Sequence, residues 1–409
     1  MPPEQLDTPA ADPVRRSRSP LLPIFLIVAV DVLGFTIILP LLPFYSERLG
    51  ASPTVIGTLI ASYAICQLIA GPILGQWSDR VGRRPVLLLS QAGTLGGFLL
   101  LAFSSQVWML FLARMIDGAT AGNLSIAQAY ISDVTKPENR AKSFAVIGIA
   151  FGLGFLIGPA IAGFLTGRFG YQAPIFAACA LSLSSIFCTF FLLPRREVVH
   201  EQNEAAAESG PGGKRLSLLS WGQYTTYFRD PELRRLLIQW LLFSLSFSTF
   251  VAGFALFAER RYVWNGHPVG VREVGYIFAF TGLIGIFMQG GLVGRLVKVF
   301  GERAVVRIGF ISMFLGDVIV GFTRTIGQLL WVTAFANVGS SGLRPALTSL
   351  VTQKAGRREQ GVIIGLTQSL TSVAQIVAPV IAGLLIDHHY LTIWAIWAGL
   401  LSGLALFFL

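Results

Sequence analysis

The hydrophobic positions of this chain form about twelve long apolar runs, separated by short polar segments. Each run holds roughly 20 residues, which is the length that an α-helix needs to cross a hydrocarbon core of about 30 Å. In the first half of the chain the predicted spans are 21–44, 54–74, 85–104, 107–132, 141–166 and 172–193. In the second half they are 234–258, 271–297, 303–323, 327–352, 360–386 and 390–409. The pattern predicts an all-α membrane protein with twelve transmembrane helices.

A long polar stretch separates the sixth apolar run from the seventh. Residues 201–213 are rich in Glu, Ala and Gly, which is typical of a flexible linker. Residues 216–235 mix aromatic and basic side chains, as an interfacial helix does. We therefore predict four regions: a cytoplasmic arm over 1–20, a six-helix bundle over 21–193, a cytoplasmic linker with the interfacial helix over 194–233, and a second six-helix bundle over 234–409.

Two segments of the first half recur in the second half. Pro159-Ala-Ile-Ala-Gly-Phe-Leu165 returns as Pro379-Val-Ile-Ala-Gly-Leu-Leu385, about 220 positions later. The polar segment Gly75–Pro85 returns in weaker form at Gly294–Arg303. A repeated six-helix unit predicts two pseudo-symmetric bundles with a binding site at their interface, and rocking of one bundle against the other.

Composition and charge support a membrane protein and limit its function. Hydrophobic residues make up 54% of the chain and charged residues 13%, with a mean hydropathy of +0.67, whereas soluble domains hold roughly 25% charged residues. The net charge of +10 comes mostly from the N-terminal arm and from the segments after the even-numbered spans. This asymmetry predicts that both termini are cytoplasmic, and it assigns the basicity to topology rather than to nucleic-acid binding.

The cysteines and histidines give no sign of a metal site or an enzyme. Cys66, Cys179 and Cys188 lie in apolar runs without metal-ligand spacing. All four histidines lie in predicted loops, so proton handling inside the spans would fall to carboxylates. We find no nucleophile paired with a base, and we expect no enzymatic activity, no metal and no cofactor.

The polar segment Gly75–Pro85 lies between the second and third spans. A short basic loop that only fixes topology is one interpretation. However, the weaker copy has Lys298 where the first copy has Asp79, and a topology signal does not need that asymmetry. We expect a cytoplasmic latch against the other half. Its predicted members are Gly75, Asp79, Arg80, Gly82, Arg83, Arg84 and Asp133.

Four segments stand in order along the first five spans: Asp31–Pro43, Gly75–Pro85, Arg114–Gly118 and Gly148–Gly163. Together they resemble the motifs of the major facilitator superfamily, and within it the twelve-helix drug/proton antiporters that include the tetracycline exporters. The resemblance implies the major facilitator fold and links the fourth-span segment to proton coupling. It also implies that the fifth-span segment is the motif characteristic of antiporters, and we expect this motif to seal the two halves on the extracellular side. Its members here are Gly154, Gly158, Pro159 and Gly163.

The chain departs from the tetracycline exporters at two positions. The tetracycline exporters typically have an acidic residue in the third span, where this chain has Gly97. They also have a histidine in the eighth span, near the position of Gly285, and this chain has no histidine there. These differences argue against export of a tetracycline–metal complex.

Charges within predicted spans are costly and therefore indicate function. Asp31 and Arg114 both fall near the middle of the bilayer at about 1.5 Å of rise per residue, and we expect them to meet across the cavity. Asp117 shares a helical face with Arg114, so an ion pair within one helix is the alternative. We assign proton coupling to Asp31, Arg114 and Asp117. Asp317, in the ninth span, is expected to be a packing or interhelical partner, with a role in proton coupling as the alternative.

Polar and aromatic stripes within the spans predict the substrate cavity, because amide groups facing lipid would be unsatisfied. An aromatic stripe packed against lipid or a neighbouring helix is the alternative for the phenylalanines. The predicted cavity residues are Phe35, Tyr63, Gln67, Ser125, Gln128, Phe247, Phe250, Asn337, Arg344, Gln368 and Gln375.

These features favour a proton-coupled secondary transporter that exports small amphipathic drugs or metabolites in exchange for protons. A proton symporter or a uniporter of a metabolite or organic anion is an alternative, to which Arg114 and Arg344 would supply charge. A membrane receptor that does not transport is a remote alternative. We expect a monomer in the bacterial inner membrane, with small-molecule substrate, protons and lipid as its partners.

Overall fold

The computed structural model describes residues 21–135, 140–193, 227–355 and 360–409, and these residues are mostly helical. The N-terminal half contains α1 (Leu21–Arg48), α2 (Pro53–Val81), α3 (Arg83–Ala102), α4 (Val107–Ala119), α5 (Asn123–Val134), α6 (Arg140–Phe169) and α7 (Gln172–Leu192). The C-terminal half contains α8 (Pro231–Arg261), α9 (Val271–Phe287), a π-helical segment (Met288–Leu292), α10 (Val293–Phe300), α11 (Glu302–Val320), α12 (Ile326–Ser340), α13 (Leu343–Ala355), α14 (Gln360–Asp387), α15 (Leu391–Leu404) and a short 3₁₀ turn (Ala405–Phe408).

These helices fit the twelve predicted spans. Within the described ranges, nine helical stretches are long and apolar enough to cross a membrane on their own, the continuous stretch from α9 through α10 being one of them. The other three predicted spans differ for visible reasons. The fourth and tenth are each divided into two shorter helices, and α11 carries several charged residues, including Arg307 and Asp317.

The interruptions in the fourth and tenth spans stand at corresponding positions of the two halves. α4 ends at Ala119 and α5 begins at Asn123, and about 220 residues later α12 ends at Ser340 and α13 begins at Leu343. At the first interruption, Ser90 of α3 accepts a hydrogen bond from the amide of Gly122 at 3.0 Å and donates one to the carbonyl of Thr120. A helix can break inside a membrane when other groups satisfy its freed backbone. The predictions of continuous helices over 107–132 and 327–352 are therefore wrong at these points.

The polar segment Gly75–Pro85 is mostly helical. α2 continues through Trp77 and Asp79 to Val81, and only Gly82 lies outside a helix. Gly82 has a φ of 108°, and its repeat counterpart Gly301 has a φ of 80°. Residues with a Cβ rarely adopt these angles, so glycine allows the same sharp turn in both halves.

One short hairpin lies between α8 and α9, in a segment outside the predicted spans. Its strands Val263–Trp264 and His267–Pro268 pair antiparallel. The connecting Asn265 and Gly266 have φ values of 50° and 84°. Asn-Gly with two positive φ angles favours a tight hairpin turn, so the signal was present in the sequence.

Most of the predicted linker lies outside the described residues, as does the arm over 1–20 and the larger part of the predicted interfacial helix. Helix α8, which forms the seventh predicted span, begins at Pro231, three residues before the predicted start at residue 234. Asp230 caps it, because its carboxylate accepts hydrogen bonds from the backbone amides of Leu233 and Glu232. These bonds lower the pKa of the Asp230 carboxyl.

The two halves pack through α2 against α14 and through α6 against α9. Both contacts are close because glycines face backbone atoms. A Cβ built on Gly57 would overlap the carbonyl oxygen of Pro379, and a Cβ on Gly275 would overlap the carbonyl oxygen of Pro159. These are two copies of one arrangement, since the repeat relates Pro159 to Pro379. Small residues of this kind let helices approach in a membrane.

Further glycines extend these contacts toward one end of the bundle. Gly383 packs against the backbone of Pro53, and Gly163 packs against the backbone of Arg272. The loop that follows α1 and the hairpin that follows α8 stand at this same end. We call it the sealed end.

Two polar links join the halves at the sealed end. The guanidinium of Arg260 contacts the carboxylate of Glu47 at 2.5 Å, and the hydroxyl of Thr54 donates to Asp387 at 2.5 Å. Gly82 and Gly301 mark the opposite end of the bundle. The sealed end is thus held by backbone packing with an ion pair and a hydrogen bond at its rim.

We predict that Gly57→Ala destabilises the protein, because the added methyl group overlaps the Pro379 carbonyl and pushes α2 from α14. Overpacking of this kind costs about 1–3 kcal/mol. The apparent melting temperature of detergent-purified protein measures the effect. Gly71→Ala is the matched control on the same helix, since a Cβ at Gly71 meets nothing within 4 Å. Equal melting temperatures for both variants would contradict the packing described above.

Candidate functional site

A buried ion pair lies in α4, within the N-terminal half. Nη1 of Arg114 is 2.6 Å from Oδ2 of Asp117, and both side chains are buried. The guanidinium carbon of Arg114 also stands 4.2 Å from the ring centroid of Tyr63 on α2. Gln67 donates a hydrogen bond to the Tyr63 hydroxyl at 3.2 Å. The alternative of an ion pair within one helix is therefore observed, with an aromatic face beside it.

Asp31 of α1 lies in a cluster of neutral polar side chains. Ser185, Gln91 and Asn123 are the polar side chains that neighbour its carboxylate. They come from α7, α3 and the first turn of α5. Gln91 is fully buried and donates from Nε2 to the Ser185 hydroxyl at 2.7 Å. Several helices of the N-terminal half therefore converge on one carboxylate.

Four buried polar atoms in this region have no hydrogen-bond partner within the described chain. They are Oδ2 of Asp31, Oε1 of Gln91, Nε of Arg114 and Oδ1 of Asn123. An unsatisfied buried polar group costs about 1–3 kcal/mol, so such groups seldom collect without a role. Their concentration around Asp31 marks a place for a proton, a water molecule or a polar ligand group.

The helix break explains how Asn123 reaches Asp31. On a continuous helix Asn123 points away from the face that carries Arg114 and Asp117. The interruption before Asn123 resets the helical phase, and α5 packs against α1. The expected direct contact between Asp31 and Arg114 is not observed among the described residues, where Arg114 pairs with Asp117 instead.

Gly97 provides the space that Asp117 occupies. A Cβ built on Gly97 would lie 3.0 Å from the Cβ of Asp117 and 2.9 Å from the carbonyl oxygen of Ala113. An acidic side chain at position 97 would therefore collide with α4. The third span has no carboxylate at this place, but the carboxylate of Asp117 on the fourth span lies next to it. The sequence alone did not show that these two positions are neighbours.

The remaining cavity residues of the N-terminal half differ in exposure. Phe35, Gln67 and Gln128 are half-buried, and Ser125 is exposed. An exposed hydroxyl in the middle of a membrane helix is unsatisfied in lipid, so Ser125 fits a position that faces the space between the halves.

The predicted aromatic stripe of α8 is divided between the core and the surface. Phe254 is fully buried, while Phe247 is 44% exposed. Phe250 is half-buried and stacks on Trp394 of α15, with 5.7 Å between the ring centroids. Of this stripe, Phe247 is the side chain left most accessible, and Phe250 packs within its own half.

The polar cavity residues of the C-terminal half lie on α12, α13 and α14. The Ser341 hydroxyl donates to Oδ1 of Asn337 at 2.8 Å. Arg344 and Gln368 are exposed, and Gln375 is half-buried. Asn337, Ser341 and Arg344 flank the helix break of the tenth span, as Asp117 and Asn123 flank that of the fourth.

The predicted latch residues cluster at the opposite end. Arg83 lies between two carboxylates, at 2.5 Å from Asp79 and 2.9 Å from Asp133. It also donates to the Ser78 hydroxyl at 2.7 Å. Arg84 donates to the carbonyl of Phe190 on α7 and lies over its ring. These contacts join helices of the N-terminal half to one another. Of the other predicted members, Gly75 accepts from Ser78 at 2.7 Å, and Arg80 is exposed.

The fifth-span glycines serve two packing surfaces on α6. A Cβ on Gly154 or Gly158 would collide with Val32 or Thr36 of α1, and the Thr36 hydroxyl donates to the Gly154 carbonyl at 2.9 Å. Pro159 and Gly163 instead face α9 across the halves. Only the second pair contributes to the sealed end directly.

Asp317 is buried between helices of the C-terminal half. Ser246 lies within 3.3 Å of its carboxylate and also donates to the carbonyl of Ala398 at 2.7 Å. This position between α8, α11 and α15 agrees with an interhelical packing partner.

We predict that Arg114→Gln lowers the free energy of unfolding by about 3–5 kcal/mol, because it leaves the Asp117 carboxylate buried without its partner. Adding Asp117→Asn restores most of the loss. Reversible unfolding in mixed micelles measures both.

The surface variant Arg303→Gln is the control, since Arg303 pairs with Glu232 while 78% exposed. It costs less than about 1 kcal/mol. A similar loss for Arg114→Gln and Arg303→Gln would contradict the buried pair.

Comparison with known proteins agrees with this architecture along the whole described chain. Residues 24–296 and 290–409 match the family model of the Major Facilitator Superfamily. Tetracycline resistance protein, class B, of Escherichia coli is 32% identical over 384 residues, which cover 93% of this chain and 91% of that protein. Multidrug resistance protein 2 of Bacillus subtilis (strain 168) is 27% identical over 370 residues, which cover 89% and 88%.

Solved structures show the same fold at lower identity. The human organic anion transporter MFSD10 (TETRAN) superposes with a TM-score of 0.71 at 23% identity, covering 97% of this chain and 100% of that one. The nucleoside transporter NupG superposes with a TM-score of 0.73 at 16% identity, covering 96% and 98%. From the family match, the repeated six-helix halves and the charged groups within the spans, the chain belongs to the major facilitator superfamily and is a membrane transporter, not an enzyme.

Proposed function

We propose that this transporter exports small amphipathic compounds in exchange for protons, with Asp31 as the group that the proton and the substrate compete for. The observation that carries the proposal is the carboxylate of Asp31, whose buried Oδ2 has no partner within the described chain. The names of the relatives, which include tetracycline and multidrug resistance proteins, support export of such compounds.

The surroundings of Asp31 suit a group that changes its protonation state. Burial in a membrane protein disfavours an ionised carboxylate, whereas hydrogen-bond donors such as Gln91, Ser185 and Asn123 favour it. Asp117 adds a negative charge nearby, and Arg114 largely neutralises it. Because these influences oppose one another, occupancy of the cavity decides the outcome. A cationic or electron-poor part of a substrate favours the ionised form and releases the proton, and an empty cavity takes it up again.

The distribution of charge supports an orientation. The opposite end carries many basic residues, among them Arg80, Arg83, Arg84, Arg229, Arg295, Lys298, Arg303 and Lys354. The sealed end has fewer, namely Arg48, Arg168, Arg260, Arg261, Arg272 and Arg324. Basic residues collect on the cytoplasmic side of membrane proteins, so the opposite end and both termini are assigned to the cytoplasm. The bacterial inner membrane follows from the relatives in Escherichia coli and Bacillus subtilis.

Alternating access follows from the two ends. The glycine contacts close the sealed end, which this orientation makes extracellular. The latch around Arg83 stands at the cytoplasmic end, where it engages the C-terminal half when the cavity faces outward. The proton gradient is the driving force, no cofactor takes part, and the working unit is a monomer.

We predict that Asp31→Asn abolishes proton-driven transport, because the amide cannot take up or release the proton. Proton-driven transport is measured as uptake of a cationic dye into inverted vesicles, with and without a pH gradient that makes the vesicle interior acidic. Uptake falls to the level of protein-free vesicles, while dye binding to the purified variant persists. Full proton-driven uptake by Asp31→Asn would contradict the assignment, and uptake that is independent of the gradient in the unaltered protein would favour a uniporter.

Two companion variants sharpen this test. Glu302→Gln removes a carboxylate outside the membrane and leaves transport unchanged. Gln91→Leu removes a donor but leaves Asp31 in place, so the ionised form is less favoured and the pH profile of transport moves toward higher pH. Loss of transport at every pH in Gln91→Leu would instead indicate a purely structural role for Gln91.

A further inference from the structure

Arg344 occupies an unusual position in the C-terminal half. It stands in the first turn of α13, directly after the break of the tenth span, and its side chain is exposed. The same helix buries Leu343, Ala346, Leu347 and Val351 in the core of its own half. Arg344 and Thr348 therefore lie on the face that points away from that core, in continuation of Asn337 and Ser341.

A polar face in the middle of a membrane span must meet something other than lipid. A charged side chain at the centre of a membrane helix costs at least about 2.5 kcal/mol in lipid and usually faces a water-filled cavity or a partner. α13 packs on α8, α11, α12 and α14 of its own half. The free face of the tenth span is thus the one turned to the space between the two halves.

The described residues provide no carboxylate for Arg344. Each acidic group deep within the spans has other neighbours: Asp117 pairs with Arg114, Asp317 lies against Ser246, and Asp31 faces Gln91, Ser185 and Asn123. No ion pair joins Arg344 to a described acidic residue. Arg114 is neutralised within its own helix, and Arg344 is not.

The repeat makes the contrast between the halves explicit. With the offset of 220 residues that relates Pro159 to Pro379, Asn123 corresponds to Leu343, the residue next to Arg344, and Asp31 corresponds to Val251. Near its helix break the N-terminal half thus presents the carboxylate of Asp31 with an amide, whereas the C-terminal half presents the guanidinium of Arg344 and has an apolar residue at the position that corresponds to Asp31. The two walls of the cavity carry opposite charge.

We propose that Arg344 binds an anionic group of the transported substrate. This inference rests on the proposed function, whose substrate it narrows to amphipathic compounds that carry a carboxylate, sulfonate or similar group. A guanidinium holds such a group with two parallel hydrogen bonds, and the bond is strong where water is scarce. The substrate's anionic end lies at Arg344, and its other end faces the N-terminal half, where Asp31 exchanges its proton.

The test compares three compounds of one shape on the purified full chain: 2-naphthylacetate, 2-naphthylacetamide and (2-naphthylmethyl)trimethylammonium. Binding is measured at millimolar concentrations by thermal stabilisation in detergent. The unaltered protein binds the carboxylate more tightly than the amide. Arg344→Gln weakens carboxylate binding by about 10- to 100-fold, as expected for loss of a charged hydrogen-bonding partner, and leaves amide binding unchanged.

Two variants keep the result interpretable. Arg344→Lys retains the charge without the paired geometry and keeps part of the preference for the carboxylate. Arg307→Gln removes an exposed arginine at the opposite end of the same half. This variant keeps the full preference for the carboxylate over the amide. Equal binding of the carboxylate and the amide by the unaltered protein, absence of carboxylate binding, or an unchanged preference in Arg344→Gln would each overturn the proposal.

Proton release on ligand addition, recorded in the same unbuffered samples, separates this proposal from the proposed function. Carboxylate binding that depends on Arg344 without any proton release would contradict proton exchange and leave the anion site standing. Proton release with the cationic compound and no preference for the carboxylate would contradict the anion site alone.

Discussion

The structure depends on the contact of bare backbone between the two halves. Gly57 and Gly275 face the carbonyl oxygens of Pro379 and Pro159, and no side chain intervenes at either place. Within a membrane there is little hydrophobic force between helices, so close packing of small residues carries much of their association. Because the repeat supplies this contact twice, the halves share an approximate twofold relation at the sealed end. That relation leaves the middle of the protein available for polar groups.

The polar groups are concentrated where the fourth and tenth spans break. In the N-terminal half the break brings Asn123 to Asp31 and is itself satisfied by Ser90. In the C-terminal half the corresponding break places Arg344 on a free face. The two similar halves thus carry opposite charge near their corresponding helix breaks. This difference gives the cavity a direction, with proton exchange on one wall and substrate recognition on the other.

Much of this organisation was predictable from the sequence. Hydropathy and the repeated Pro-Ala-Gly segment predicted twelve spans in two related halves, and Asp31, Arg114 and Asp117 were selected because charges within spans are costly. Gln91 and Ser185 were missed, because the sequence does not show which of the many neutral polar residues in the apolar runs come together around Asp31 when the helices pack. The break before Asn123 was missed too, since it depends on a serine of another helix. The predicted latch segment is helical from Gly75 to Val81, because nothing before Gly82 forces a turn.

The central claim is that the two ends of the protein open in alternation as Asp31 exchanges its proton. Distances between spin labels measure this most directly, after replacement of the three cysteines. One pair of labels stands at Gln172 and Asn265 near the sealed end, and the other stands at Arg80 and Lys298 at the opposite end. On acidification in lipid nanodiscs, the account predicts that one distance lengthens while the other shortens, and that Asp31→Asn no longer responds to pH. Distances that stay constant, or that change in the same direction at both ends, would contradict it.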